Sequence, residues 1–426
     1  MEHILPVCLL LAGLIVVGMP IAYAMGIAGA IGLYLVGGMD AMLGILSTAP
    51  YRNAASWTLT AVPLFVFMAE VLSASRMSSD MFESANKWFG HLPGGLAIAA
   101  IFTTAGFGAV SGSSTAATAT MARTAVPEGL KLGYDAGMMT GAVAAAGTLA
   151  ILIPPSIVMV IYGLLTETSI GALFVAGILP GLAMTAAYTV AVVVWVRRNP
   201  ANMPPSIRYV WTEKFASLRH LWHVVVLFLV VVGSMYGGVV TVTEAATMGA
   251  VGALVIGAFI LRRLSWRGLS EALERTIRTT AMIFAIVIGA HIFSYFLTMT
   301  LATQKLVGFV AALDVPRVVI LAILIGIYLI LGCLMDQLAI LVLTVPIVFP
   351  LMMHLGYDAV WFGILLTMTV EIGLITPPLG MNIFVVSSIT GVPLREIFRG
   401  VIPFVLAAIM VLLVFAAFPG LVTWTT

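Results

Sequence analysis

Long apolar runs alternate along the chain with short breaks marked by glycine, proline or small polar residues. Runs at about 4–18 and 21–38 are separated by Gly18-Met19-Pro20, and a third extends from about Thr60 to Ser75. Residues 79–89 follow a different pattern. Met81, Phe82, Ala85, Trp88 and Phe89 recur at helical spacing, which predicts an amphipathic helix, either lying along a membrane interface or acting as a connector. Residues 94–126 hold two apolar arms, each short for a separate crossing, around a glycine-bearing polar stretch from Gly108 to Thr120. That pattern predicts a re-entrant hairpin. The run at 137–165 is interrupted by Ile153-Pro154-Pro155-Ser156, which predicts a broken helix, because proline removes a backbone donor and frees the carbonyl one turn earlier. A span from about Ile170 to Val196 follows. Farther on come spans near 221–238, 244–261 and 279–297, and then a weakly amphipathic segment to Asp314. A second hairpin at 317–352, a second broken helix at 357–390 and a last span at 396–419 complete the chain.

The second half repeats the first. Leu132-Gly133-Tyr134-Asp135 recurs 223 positions later as Leu355-Gly356-Tyr357-Asp358. The same displacement carries Met25-Gly26 onto Met248-Gly249, Pro127 onto Pro350, Pro154-Pro155 onto Pro377-Pro378, and Gly177 with Pro180 onto Gly400 with Pro403. The expected organisation is a first repeat over 1–197, a cytoplasmic loop over 198–219 and a second repeat over 220–426. Five crossings and one hairpin per half are an odd number, so the halves are expected to be inverted relative to each other. The hairpin tips then meet near the midplane from opposite sides, and both termini lie in the periplasm.

Composition fixes the solvent. Hydrophobic residues make up 62% of the 426 and charged residues 8%, a surface no soluble domain of this length tolerates. The fold class expected is an all-α polytopic membrane protein without a soluble catalytic domain. The N-terminal run lacks a basic flank and a small-residue cleavage site, so an uncleaved span is expected rather than a signal peptide. Arg197, Arg198, Arg208, Lys214 and Arg219 form one expected loop and Arg262, Arg263, Arg267, Arg275 and Arg278 another, both cytoplasmic by the positive-inside rule. Cys8 and Cys333 stand in apolar segments without metal-site or redox spacing and read as packing residues. A net charge of +2 with no basic stripe excludes a nucleic-acid interface.

Inverted repeats with discontinuous helices are the pattern of secondary transporters, whose cargo binds where the helices break. Ser111, Ser113, Ser114 and Thr115 offer the oxygen donors that a hard cation or a carboxylate needs. They are consecutive, whereas small residues used for helix packing are spaced by four; Thr118 and Thr120 are read as packing. The repeat places Asp336 and Gln337 where the first hairpin has Ser113 and Ser114, and a carboxylate at membrane depth marks function unless the tip reaches the headgroups. Gly147 and Thr148 before the first break, and Glu371, Gly373 and Thr376 before the second, can supply unwound carbonyls and hydroxyls. Glu371 and His291 are each a possible proton carrier, with His291 expected to be a satisfied core residue. Arg123 either faces a substrate carboxylate or snorkels to the interface.

Ser111-Gly112-Ser113-Ser114, Ile153-Pro154-Pro155-Ser156, Ala176-Gly177-Ile178-Leu179-Pro180-Gly181 and Thr376-Pro377-Pro378-Leu379-Gly380-Met381-Asn382 together resemble the large membrane subunit of a tripartite ATP-independent periplasmic (TRAP) transporter, over essentially the whole chain. The resemblance implies a bacterial inner-membrane importer, not an enzyme, coupled to two or more Na⁺ ions. It implies that small organic acids are received from a periplasmic binding protein, and that a small four-helix membrane subunit, expected on a separate chain, is a partner. It also implies an elevator motion of the hairpins and broken helices against a scaffold. One Na⁺ site would use Ser111 and Ser113 with carbonyls from Gly147 through Leu152 to Pro154. The other would use Met335, Asp336 and Gln337 with Gly373 and Thr376. Substrate would lie between Ser114, Thr115, Pro155 and Asn382. A C4-dicarboxylate, a keto acid and a sugar acid remain open as cargo. Three alternatives also stand: a stand-alone Na⁺/carboxylate symporter, a membrane scaffold without transport, and an intramembrane hydrolase using Ser113. No histidine lies near that tip to serve the hydrolase.

Overall fold

A computed structural model describes residues 3–199, 208–219, 221–313 and 315–423. Glu2, Asp314 and the 200–207 stretch of the expected loop lie outside the described residues. In the first half, α1 (Ile4–Val16) and α2 (Ile21–Ala54) are followed by α3 (Ala61–Ala74) and α4 (Met77–Phe89), and then by the hairpin arms α5 (Gly95–Ser111) and α6 (Ser114–Lys131). The broken helix is α7 (Ala136–Gly147), α8 (Leu149–Leu152) and α9 (Ile157–Thr166), and α10 (Ile170–Arg198) follows it. After α11 (Trp211–Leu218), the second half runs through α12 (Trp222–Phe228), α13 (Ser234–Tyr236), α14 (Val242–Val255), α15 (Trp266–Met299) and α16 (Ala302–Ala311). The second hairpin is α17 (Arg317–Leu334) and α18 (Gln337–His354). The second broken helix is α19 (Ala359–Gly373) and α20 (Met381–Thr390), and α21 (Leu394–Ala417) is last.

The element boundaries keep the displacement of 223 residues seen in the sequence. The first tip lies between Ser111 and Ser114 and the second between Leu334 and Gln337; the outer ends of the arms are Lys131 and His354. Asp135 caps α7 by accepting from Met138 N at 2.8 Å, and Asp358 caps α19 by accepting from Trp361 N at 2.8 Å. Both caps satisfy a backbone donor that has no partner within its own helix. Pro154-Pro155 and Pro377-Pro378 are both cis.

The observed helices depart from the apolar pattern in three places. The second run continues past Gly38, which takes φ +75°, to Ala54, so what reads as a span ending at 38 is a helix bent at its middle. Arg267, Arg275 and Arg278, expected in a loop, lie on α15, which starts at Trp266 rather than near 279. Pairing of Arg267 with Glu271 and of Arg278 with Glu274, each four residues apart, and of Arg275 with Glu70 gives this polar turn partners that composition alone does not show. Lys214, also expected in a loop, is on α11. The amphipathic pattern at 79–89 forms α4, bent by 67° from the helix before it and packed on α5 and α11.

Among the described residues, seven helices are long and apolar enough to cross a membrane, or ten if each of three bent pairs forms one span. On α17, Ile323, Ile327, Ile330 and Leu334 are exposed along one stripe, the face a lipid-bathed helix presents. Two assemblies meet at the centre. One is the packing of α15 along α2 and α3; the other is formed by the hairpins, the broken helices, α10 and α21. The second assembly is itself tightly interlocked, with α6 against α7 and α20, α9 against α18, and α21 against α7 and α10.

Candidate functional site at the hairpin tips

The first tip is shaped by a short turn. Gly112 takes φ +59°, which ends α5, and Ser113 then adopts extended backbone and caps α6 by accepting from Ala116 N at 3.4 Å. A Cβ on Gly112 would lie 2.9 Å from Pro155 O, so the tip rests directly on the Pro154-Pro155 break. The second tip repeats this with other chemistry. Asp336 caps α18 by accepting from Leu338 N at 3.1 Å, and Cys333 Sγ behind it lies 3.7 Å from Pro377 O. Ser113 and Asp336, paired by the repeat, therefore hold the same position at a helix N-terminus, where free N–H groups and the helix dipole favour negative charge.

Both tips open into one cavity of about 430 Å³. Ser111, Gly112, Ser113 and Thr115 enter it from the first hairpin, Asp336 and Gln337 from the second, and Ile157 from the end of the first break. Its opposite wall is Glu70 of α3 with Thr279 and Met282 of α15. The cavity thus lies between the two assemblies. Glu70 is held by Arg275 at 2.6 Å, so the carboxylate on this wall is matched by a cation one turn from Thr279.

Several buried oxygen atoms here have no hydrogen-bond partner of standard geometry among the described residues. Ser111 Oγ and Gln337 Oε1 lie at the two tips, and Thr118 Oγ1, Asn382 Oδ1 and both carboxylate oxygens of Glu371 lie behind the first. Buried polar atoms are nearly always satisfied, so such a concentration leaves oxygen atoms free to accept a further partner. Gln337 Oε1 is a neutral oxygen of the kind a monovalent cation accepts, and Asp336 beside it supplies charge.

The cavity gathers some of the expected residues and leaves others behind its wall. Ser114 faces away, and its Oγ accepts from Asn382 Nδ2 at 2.9 Å, joining α6 to α20. Gly147 lies against this contact, where a Cβ would be 1.8 Å from Thr118 Oγ1 and 3.1 Å from Asn382 Nδ2. Leu152, Pro154 and Pro155 are buried in the first break, whereas Pro377 and Pro378 in the second are exposed. Gly373 packs backbone to backbone on Gly332, and Thr376 Oγ1 is already engaged with Ile372 O. Met335 continues α17 by donating to Leu331 O. Arg123 is exposed on α6, more than two turns beyond the tip, and does not line the cavity.

Three contributors were not picked out by the sequence pattern. Glu70 lies inside the apolar run Thr60–Ser75, and an ionisable residue within a candidate span is itself a functional signal. Thr118, read as packing, is packed on Gly147 and also brings a buried hydroxyl to that contact. Tyr188 of α10 reaches Thr148 Oγ1 at 3.0 Å, a partnership without any sequence signature.

Residues 8–421 match the family described as "Tripartite ATP-independent periplasmic transporter, DctM component". The chain is 34% identical over 370 residues to the C4-dicarboxylate TRAP transporter large permease protein DctM of Pseudomonas aeruginosa, covering 87% of this chain and 86% of that one. It is 31% identical over 423 residues to the 2,3-diketo-L-gulonate TRAP transporter large permease protein YiaN of Escherichia coli, covering 97% and 96%. Among solved structures, the Alcanivorax borkumensis YdaH transporter superposes with a TM-score of 0.65 at 14% identity, covering 94% of this chain and 96% of the other, a likeness of fold alone.

Proposed function

We propose, from the premise that this chain belongs to the DctM component family and is the large membrane subunit of a TRAP transporter, that it imports small organic acids by coupling them to Na⁺. The coarse function is that of a multi-pass inner-membrane secondary transporter of organic acids. In the finer reading, a periplasmic binding protein delivers the acid, a small membrane subunit completes the complex, and the assembly bearing hairpins and broken helices moves as an elevator against α2, α3 and α15. The carrying observation is the convergence of both hairpin tips on a cavity whose far wall belongs to the other assembly.

The chemistry follows from the residues that meet there. Ser111 and Ser113, with carbonyls of the Gly147–Pro154 break, would hold one Na⁺; Asp336 and Gln337, with Met335 and carbonyls near Gly373 and Thr376, would hold another. Each cation offsets the negative charge of Glu70 and Asp336, which otherwise repel an anionic substrate, while the helix N-termini at the tips favour it. Bound cations therefore raise the affinity for the acid, and the acid raises the affinity for the cations. Inverted orientation of the two repeats would let the cavity face either side through related conformations. The relatives' named cargoes, a C4-dicarboxylate and a diketo sugar acid, support an organic acid as substrate.

The test is reconstitution with the binding protein and small subunit encoded beside this chain, under an imposed Na⁺ gradient. Uptake of an organic acid is expected only with the gradient and the binding protein together. Uptake without the binding protein would favour a stand-alone symporter, and no gradient-driven uptake of any organic acid would overturn the reading.

A further inference from the structure

A second concavity lies between α10 and α21. It holds about 670 Å³ and shares no lining residue with the cavity at the hairpin tips. On α10 its lining recurs at helical spacing along one stripe, from Ala187 through Ala191 and Val194 to Arg198. Small residues make its floor. Ala407 of α21 is buried and Ala187 and Ala191 are half-buried, while Val190, Leu406 and Met410 along the rims are each more than half exposed. The groove changes character at one end, where Trp195, Arg198 and Asn199 line it and Asn199 Nδ2 donates to Trp195 O at 3.2 Å across the last turn of α10.

Both helices build this basic end. A Cβ on Gly94 would touch Val192 and Val196 of α10, Leu96 N donates to Tyr134 Oη at 3.2 Å, and a Cβ on Gly400 of α21 would meet Gly137 O. These contacts hold the start of α21 level with the end of α10. Arg399, exposed one turn before Pro403, therefore stands at the same end as the exposed Arg197 and Arg198. None of the three arginines is ion-paired among the described residues, and Glu396 is the acid beside Arg399 on α21. An arginine in the last turn of a helix is favoured by the helix dipole wherever it stands. The repeat shows what is particular to this one. Displaced by 223 residues, Trp195, Arg197 and Arg198 become Phe418, Gly420 and Leu421, so the opposite end of the same helix pair has an aromatic ring at that position and no cation.

The length of the groove selects its occupant. From Ala187 to Asn199 the stripe runs about 18 Å at a rise of about 1.5 Å per residue, and the hydrocarbon core of a bilayer is about 30 Å thick. The groove thus spans about one leaflet, whereas a spanning helix of a partner needs a face through both. We propose that it binds one anionic phospholipid of the cytoplasmic leaflet, with an acyl chain over Ala187, Ala191 and Ala407 and the phosphate held by Arg198. A guanidinium pairs with a phosphate through two parallel hydrogen bonds, and basic pockets between spanning helices on the cytoplasmic side suit anionic headgroups. Trp195 next to Arg198 is the ring type that settles at headgroup depth, and the positive-inside rule assigns the leaflet. Since α10 and α21 belong to the assembly that carries the hairpins, the lipid belongs to that assembly too. The site depends neither on the cargo nor on the coupling ion.

The test is native mass spectrometry of the delipidated complex of this chain with its small subunit, titrated with dioleoyl phosphatidylglycerol or with dioleoyl phosphatidylethanolamine, which has the same chains and no net charge. A single tightly retained phosphatidylglycerol is expected, with phosphatidylethanolamine binding more weakly. Arg198→Gln is expected to weaken phosphatidylglycerol binding about fivefold, the equivalent of about 1 kcal/mol for one basic residue at an anionic headgroup. Val194→Trp fills the groove from a position 42% exposed and is expected to abolish the binding. Arg208→Gln, exposed and outside the groove, should leave it unchanged. Equal binding of the two lipids, or equal losses in Arg198→Gln and Arg208→Gln, would reduce the effect to general surface charge and overturn the proposal. Unchanged binding in either Arg198→Gln or Val194→Trp would overturn it as well, and Arg198→Gln decides alone if the tryptophan variant does not fold. Release of the small subunit by Val194→Trp would assign the groove to that partner and sink the lipid site.

Discussion

Asn382 Nδ2 donates to Ser114 Oγ at 2.9 Å, although the two residues stand 268 positions apart. This contact ties the first residue of α6 to the second residue of α20, so the first hairpin tip is locked to the second broken helix. A side-chain pair buried this completely has no water to fall back on.

Removing either partner takes a buried hydrogen bond from the other, leaving Asn382 Nδ2 with only Ala144 O at 3.4 Å. Asn382→Ala or Ser114→Ala is expected to cost about 1–3 kcal/mol in stability. The double variant should cost less than the sum of the two, with a coupling of about 0.5–3 kcal/mol. Melting of the four purified forms measures this; strict additivity would show that the contact carries no energy.

Ser113 and Asp336 share a capping role but differ in charge. Replacing either by Ala removes a cap worth about 0.5–2 kcal/mol. Asp336→Asn keeps the cap and loses only the charge. It is expected to melt like wild type while Na⁺-driven uptake falls roughly tenfold or more, as loss of a charged ligand of about 1.5–3 kcal/mol implies. Ser113→Ala should lower uptake in the same direction. Wild-type rates and an unchanged Na⁺ response in both would remove the tips from the cation sites.

Gly147 has no room for a methyl group. Gly147→Ala places its Cβ 1.8 Å from Thr118 Oγ1, which something must give way to accommodate. Overpacking of this kind is expected to cost about 1–3 kcal/mol. Thr118→Ala in the same chain should restore part of the loss and not all of it, since Ser114 O and Asn382 Nδ2 remain 3.1 Å away. Expression and melting of the single and double variants decide; no rescue would place the conflict elsewhere.

The Arg275 and Glu70 pair is half-open to solvent, so its contribution to folding is about 0–1 kcal/mol. Its effect belongs to the cavity. Arg275→Gln leaves Glu70 uncompensated opposite Asp336, and KM for an anionic substrate is expected to rise several-fold with little change in melting. Adding Glu70→Gln should return KM toward wild type. If the double variant is as impaired as the single, charge balance on this wall is not what the pair supplies.

How much of this was legible in the chain differs from residue to residue. The displacement of 223 residues located both hairpins, both proline breaks and the equivalence of Ser113 with Asp336, because turn and capping chemistry is local and repeats with the sequence. The extension of α15 back to Trp266 was hidden, since its arginines read as loop residues until Glu70, Glu271 and Glu274 are seen beside them. Thr118 reads as packing in the chain and does pack, but that Gly147 is its neighbour is seen only in the structure.

The amino-acid sequence by itself determined the membrane class, the repeat and the residue types at each break, because hydrophobic length, proline and glycine act on their own segment of backbone. Which of those residues face one another was decided only by tertiary structure. Ser111, Ser113, Asp336 and Gln337 share a cavity with Glu70, while Ser114 turns away to Asn382 and Glu371 is sealed behind them. Nothing in a periodic pattern states which faces of two distant helices will meet; that depends on close packing among many elements at once, and at this site packing sets which oxygen atoms are left without partners.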